Sequence, residues 1–203
     1  MNTSLKRKNK SLLIGLTGGI GSGKSIVSKI FMSLGVPIFN SDESAKNIIN
    51  NDSNVIRKIT SEFNNIYEDG KLNTQKMAEV VFNDEKALEK LNNIIHPKVK
   101  ETFDKWVNEN KNTPILIKEA AILIESGAYQ FMDKIILVIA PEQIRLNRVA
   151  ARDGVLIDKV KDRIQAQLSD EKKLAYADFT IVNDNQQMVI PQVIEILERL
   201  KKG

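Results

Sequence analysis

Leu12-Leu13-Ile14-Gly15-Leu16-Thr17-Gly18-Gly19-Ile20-Gly21-Ser22-Gly23-Lys24-Ser25 is an apolar run that feeds a glycine-rich turn and ends in Lys-Ser. Gly18, Gly23, Lys24 and Ser25 satisfy the phosphate-loop pattern G-x-x-x-x-G-K-[ST]. The glycines let successive backbone N–H groups converge on phosphate oxygens that side chains would otherwise block. The helix that follows brings its positive N-terminal end to the same place. Lys24 can reach the β- and γ-phosphates, and the Ser25 hydroxyl is the usual ligand of phosphate-bound Mg²⁺. A turn that held Lys-Ser by chance would lack this context. Here an apolar strand precedes it, and Ile26, Val27, Ile30, Phe31 and Leu34 recur at helical spacing after it. The stretch predicts binding of a nucleoside triphosphate.

Composition narrows the class. The 203 residues suit one domain with an elaboration or two small ones, with enough chain to bury a core. Cysteine is absent, so disulfides and thiolate metal sites drop out, and a reducing, cytoplasmic setting fits. The pI near 9.1 raises the question of nucleic acid. Lys6, Arg7, Lys8 and Lys10 account for the whole formal charge of +4, which leaves residues 12–203 at zero. A nucleic-acid binder carries its basic excess on the folded body. Aromatic residues, at 5%, are too few for a base-stacking platform. Residues 1–11 therefore read as a solvated basic extension. Leu12–Leu16 is shorter than a secretory signal core, and no apolar run nears the ~20 residues of a membrane span, so neither nucleic acid nor membrane is an expected partner.

Along the chain, Gly35 reads as a helix C-cap and Val36-Pro37-Ile38-Phe39 as a short buried strand before Asn40-Ser41-Asp42. Residues 45–110 carry sparse, helically spaced apolar positions such as Val55/Ile59/Phe63 and Leu88/Leu91/Ile95, and read as a helical insertion. Asp69-Gly70 marks a turn there, and His96-Pro97 is expected to break one helix and start another. Ile115–Ile117, Ile135–Ile139 and Phe179–Val182 read as further strands of a parallel sheet covered on both faces. Residues 142–177 are helical and highly charged, and Val189/Val193/Ile196/Leu197/Leu200 form a last amphipathic helix. The fold class is α/β: a parallel five-stranded sheet with right-handed crossovers. Its core is expected over 12–44, 113–141 and 178–203, with helical segments near 45–110 and 142–177.

Neither a D-x-x-G switch nor an [NT]-K-x-D guanine site occurs, which argues against a GTPase. A small-molecule kinase needs an acceptor site, a group to orient the acceptor hydroxyl and a lid. Arg145, Arg148 and Arg152 fall within about 60° of one another on one helical face, as either a cationic lid or a solvated basic face. Asp42 follows the second strand, where ligands gather in such sheets, yet an Asp there also serves as an N-cap.

The chain resembles the dephospho-coenzyme A kinase family over nearly its whole length. The resemblance rests on Leu16–Ser25, Phe39-Asn40-Ser41-Asp42, Ile94-Ile95-His96-Pro97, Ile122-Leu123-Ile124-Glu125, Arg148 to Arg152-Asp153, and Ala177–Asn183. It implies transfer of the γ-phosphoryl of ATP, with Mg²⁺, to the 3′-hydroxyl of dephospho-coenzyme A, in the last step of coenzyme A synthesis. It also implies a three-layer phosphate-loop kinase fold whose helical segment near 45–110 binds the acceptor and whose helical segment near 142–177 is a lid. The expected protein is a cytoplasmic monomer. It assigns catalysis to Asp42, Lys24 and Arg148, nucleotide contacts to Gly19, Gly21, Ser22, Gly23, Lys24, Ser25, Ile26, Arg148 and Arg152, and acceptor contacts to Asp42, His96 and Glu125. The family's D-x-D is Asn40-Ser41-Asp42 here, which leaves Asp42 as the one carboxylate able to act as base. The usual Thr after Lys-Ser is Ile26, which removes a hydroxyl contact to phosphate, and the usual Pro-Leu-Leu-Phe-Glu is Ala121-Ile122-Leu123-Ile124-Glu125. Glu119 reads either as an outer-shell carboxylate for Mg²⁺ or as a surface acid at a strand end. His96, the one histidine, reads from sequence as a packing or capping residue and from the resemblance as an acceptor-side group. Another kinase of the same fold, or a nucleotide-dependent binding module without transfer activity, are the alternative readings.

Overall fold

Strand β1 (Leu12–Thr17) is buried at every residue after the half-buried Leu12, as a central strand covered on both faces must be. A glycine-rich turn leads to α1 (Lys24–Ser33), which buries Val27, Ser28 and Phe31. Gly35, at φ 82°, ends that helix in the left-handed conformation that glycine adopts most cheaply. β2 (Ile38–Asn40) is shorter than the expected strand: it begins after Pro37, whose carbonyl accepts from Ile117 N at 3.0 Å. The computed structural model describes residues 11–82 and 84–202, so the expected basic extension, apart from Ser11, lies outside the described residues.

The chain divides into two compact units, one taking in the chain up to Phe39 together with Asn110 onward, the other Asn40–Glu109. The second unit opens with α2 (Ser41–Asn51) and α3 (Ser53–Glu62), capped by the side chains of Asn40 and Asp52. Then β3 (Tyr67–Glu68) and β4 (Lys71–Leu72) form an antiparallel hairpin about Asp69-Gly70, both at positive φ. The sequence marks that turn but not the strands, which are two residues each. The unit closes with α4 (Thr74–Phe82) and α5 (Glu85–Glu109).

Helix α5 corrects the expected break at His96-Pro97, because Pro97 lies inside one continuous helix. Ala87, Leu91, Ile95, Val99 and Phe103 form a buried stripe at four-residue spacing that runs past the proline, while His96 and Pro97 are exposed. A proline inside a helix costs about 3 kcal/mol. Each large apolar side chain on the stripe returns roughly 1.5–3 kcal/mol on burial, so continuing the helix wins.

The first unit resumes with β5 (Ile115–Glu119) and β6 (Lys134–Ile139), followed by α6 (Glu142–Asp153), α7 (Ile157–Gln165) and α8 (Asp170–Leu174). It ends with β7 (Phe179–Val182) and α9 (Val189–Lys202). The parallel sheet has the order β2-β5-β1-β6-β7, with Leu16 opposite Glu119 on one side of β1 and Ile136 on the other. One face packs on α1 and α9 through Ile14, Leu16, Phe31, Ile181, Val193 and Leu197. On the other face Leu123 is buried so close to Gly15 that a Cβ there would lie 2.5 Å from it. The chain passes from β1 to β2 and β5 on one side, then to β6 and β7 on the other. The carboxyl end of β1 is therefore a topological switch point, where such sheets place their ligands.

Candidate active site

The turn after β1 is shaped by the protein around it. Gly21 (φ 79°) and Gly23 (φ 98°) need the left-handed region, and a Cβ at Gly23 would lie 2.0 Å from Asn183 Nδ2. At Gly21 it would lie 2.7 Å from the Arg145 carbonyl oxygen. Glycine is thus required here by packing of α6 and the β7 end against the loop, beyond the access to phosphate expected from the pattern. Gly23 is the N-cap residue of α1 and no side chain caps that helix, so side chains leave its first N–H groups to an anion. Lys24 Nζ lies back across the loop and donates to Gly18 O at 2.8 Å. Ser25 and Ile26 are exposed on the first turn of α1. Thr17 Oγ1 and Ser22 Oγ are buried without a hydrogen-bond partner among the described residues.

The three arginines of α6 share a face but meet different surroundings. Arg148 Nη1 donates to Gly21 O at 3.3 Å, and Nη2 donates to the backbone and side-chain oxygens of Asn183 at 3.1 and 3.2 Å and to Asn185 Oδ1. Asn183 Nδ2 donates to Ser22 O at 2.8 Å, which completes a bracket between loop, α6 and the end of β7. The Arg145 side chain is only 9% exposed and its guanidinium lies against Gly19. Arg152 is 61% exposed and pairs with Asp153 at 2.7 Å, and Arg163 meets the other oxygen of Asp153 at 2.7 Å. Arg152 and then Arg163 hold the Asp153 carboxyl well below the usual carboxylate range. The brace between α6 and α7 is the Arg163–Asp153 pair, and Arg152 meets only its own neighbour on α6, unlike Arg148.

Residues between α7 and β7 reach the same loop. Gln167 Oε1 accepts from Ile20 N at 2.8 Å, and Ile20 packs on the Leu146, Val149 and Val160 cluster of α6 and α7. Lys173 is fully buried with its ammonium 2.9 Å from Glu125, whose Oε1 also accepts from Leu168 N at 3.1 Å. Glu125, expected at the acceptor, is thus engaged in fastening α8. Burial pushes the Asp170 carboxyl up, against the pull of Arg145, Lys173 and Lys24. A cavity of about 740 Å³ is lined by Glu125, Glu142, Arg145, Gln167 and Asp170 among others.

Glu119 is buried and accepts from Ser28 Oγ at 2.6 Å, so it is not a surface acid. In the second unit, Asn40 Oδ1 accepts from Glu43 N at 2.9 Å and is the cap of α2. Asp42 is the second residue of the helix, exposed on its first turn, and the capping role considered for it belongs to Asn40. His96 is exposed midway along α5. Asn183, Gln167, Asp170 and Lys173 had no assigned role in the sequence reading. Asn183 fell inside a motif of the resemblance, but the other three sit in a charged helical stretch with no local pattern to single them out.

A family model described as dephospho-CoA kinase matches residues 12–188, which takes in both units and the loop. The chain belongs to the dephospho-CoA kinase family. A dephospho-CoA kinase from Bacteroides fragilis is 40% identical over 189 residues, 92% of each chain. A crystal structure of a Thermus thermophilus protein superposes with a TM-score of 0.87 at 27% identity, covering 96% of this chain and 100% of that one. The dephospho-CoA kinase from Campylobacter jejuni gives 0.69 at 28% identity over 94% and 98%. Dephospho-CoA kinases are ATP-dependent and act in the last step of coenzyme A biosynthesis.

Proposed function

We propose that this chain transfers the γ-phosphoryl of ATP to the 3′-hydroxyl of dephospho-coenzyme A. The observation that carries the reading is the family match over residues 12–188, with the phosphate loop at the switch point of the sheet. The loop N–H groups and the start of α1 hold the triphosphate, and Lys24 stabilises charge on the migrating group. The buried, unpaired hydroxyls of Thr17 and Ser22 fit a site completed by a polar ligand. Arg148 bonds carbonyls on the loop and keeps its shape. The acceptor lies with residues 40–109, where Asp42 and His96 are its contacts.

In the reaction the 3′-oxygen bonds to the γ-phosphorus and the bond from that phosphorus to the β,γ-bridging oxygen breaks. ADP leaves with the electron pair, and the hydroxyl proton passes to Asp42. Ser25 and Glu119 supply hard oxygens that fit Mg²⁺, an ion held mainly by phosphate, water and one or two protein groups. When bound, Mg²⁺ neutralises charge on the β- and γ-phosphates. The reaction belongs to the cytoplasm and needs one chain. Lys24→Ala should abolish transfer while thermal melting stays unchanged. Near-normal turnover in that variant would remove the phosphate loop from the chemistry.

A further inference from the structure

Arg145 is a buried cation without adequate company. Its side chain is 9% exposed, its Nε has no hydrogen-bond partner among the described residues, and its ion-pair partner is Asp170 at 3.7 Å. That distance is an ion pair but exceeds a hydrogen bond. Burying a guanidinium costs heavily unless it is both paired and hydrogen-bonded. Asp170 Oδ1 is likewise buried without a hydrogen bond. The two are close without satisfying each other.

Their position tells what would satisfy them. The Arg145 guanidinium touches the phosphate loop so closely that a Cβ on Gly19 would lie 1.9 Å from Nη1. Asp170 feels the positive charges of Arg145, Lys173 and Lys24 together, and Lys24 is the lysine of the loop. Both side chains line the cavity of about 740 Å³ beside the loop, a volume in the range of ligand sites. Lys173 has a close ion-pair partner in Glu125 at 2.9 Å, while Arg145 has Asp170 only at 3.7 Å and keeps its Nε donor unused.

We propose that Arg145 is a catalytic arginine that takes up oxygens of the terminal phosphate, and that Asp170 holds its guanidinium beside the loop until the nucleotide displaces that contact. The inference rests on the assignment of the loop as the ATP site. A planar fork of donors suits two phosphate oxygens, and nearly complete burial strengthens the interaction at the moment charge develops. Asp170 is then an anion competing with the triphosphate for the same cation.

The test uses the full chain with Arg145→Gln, Asp170→Asn and, as a control, Lys24→Ala. Steady-state kinetics, thermal melting and calorimetric titration with ATP are measured on each. Arg145→Gln should lower kcat by about 10²-fold, the scale of one lost transition-state donor, with the KM for dephospho-coenzyme A within about twofold. Asp170→Asn should bind ATP roughly threefold tighter or more, since it removes the competing charge. Normal kcat in Arg145→Gln overturns the proposal, as does ATP affinity in Asp170→Asn that is unchanged or weaker. If Arg145→Gln fails to fold, the Asp170→Asn titration decides alone. Retained turnover in Lys24→Ala would instead sink the ATP-site assignment, whereas loss there with normal Arg145→Gln sinks this inference only.

Discussion

Changing Asp42 to Asn removes a proton acceptor while keeping the size and most of the hydrogen-bonding capacity of the side chain. Because Asn40 caps α2, the change cannot act through loss of the cap. Asp42→Asn should lower kcat by about 10²–10⁴-fold, the range for a removed general base, with ATP affinity barely moved. A normal kcat would show that orientation by other groups suffices. Asn40→Asp should leave kcat and melting near those of the parent, since Asp caps a helix as well as Asn. A sequence reading could place Asp42 after the second strand, but it could not decide between cap and base. That choice depends on where the first turn begins, a matter of two residues. The same limit separates Arg145, Arg148 and Arg152: a helical wheel gives their shared face, whereas their partners at residues 19, 21, 183 and 153 come from elsewhere in the fold.

At the scale of elements, α6 is the piece that presses on the phosphate loop. Arg148 contacts oxygens on two residues of the loop and two beyond β7. A lysine keeps the charge but not the fork, so Arg148→Lys should lower kcat/KM clearly and Arg152→Lys should not. Equal loss in both would mean that Arg152 also serves the nucleotide. The Asp153 brace has a pH signature. Its carboxyl titrates lower in the folded chain than its ordinary value of 3.8, so its stabilisation is present above that value and is lost as pH falls through the folded one. Melting of the parent and of Asp153→Asn should differ at neutral pH and draw together progressively as pH falls below about 4 towards the lower folded value. A gap that stays constant to the lowest pH would show that the ion pairs do not set it. Elements were legible where apolar periodicity was strong, as in β1, β6 and α9. They were misread where a long-range stripe overrode a local breaker at Pro97, and where the hairpin over residues 67–72 was too short to carry an alternating pattern. That hairpin is pinned to α2 by Tyr67 Oη donating to Ile49 O and Leu72 N donating to Asn50 Oδ1, contacts that no local pattern announces.

For the whole molecule, the parallel sheet was legible because continuous β-branched runs bounded by Gly and Pro leave few arrangements for a chain that also carries a phosphate loop, whereas the family was legible through its resemblance in motifs such as Leu16–Ser25, Phe39–Asp42 and Ala177–Asn183. What stayed hidden was the polar set that meets that loop from beyond α7, since Gln167, Asp170 and Lys173 lie among other charged and polar residues until the fold brings them in. The most direct measurement of phosphoryl transfer is ADP release by the purified full chain, with ATP and Mg²⁺, across a panel of acceptors that includes dephospho-coenzyme A, shikimate and nucleoside monophosphates. Transfer to the 3′-hydroxyl predicts ADP release that depends on dephospho-coenzyme A, a product phosphorylated at the 3′ position, and loss of both in Lys24→Ala. ADP release that is indifferent to dephospho-coenzyme A, or faster with another acceptor, would contradict it.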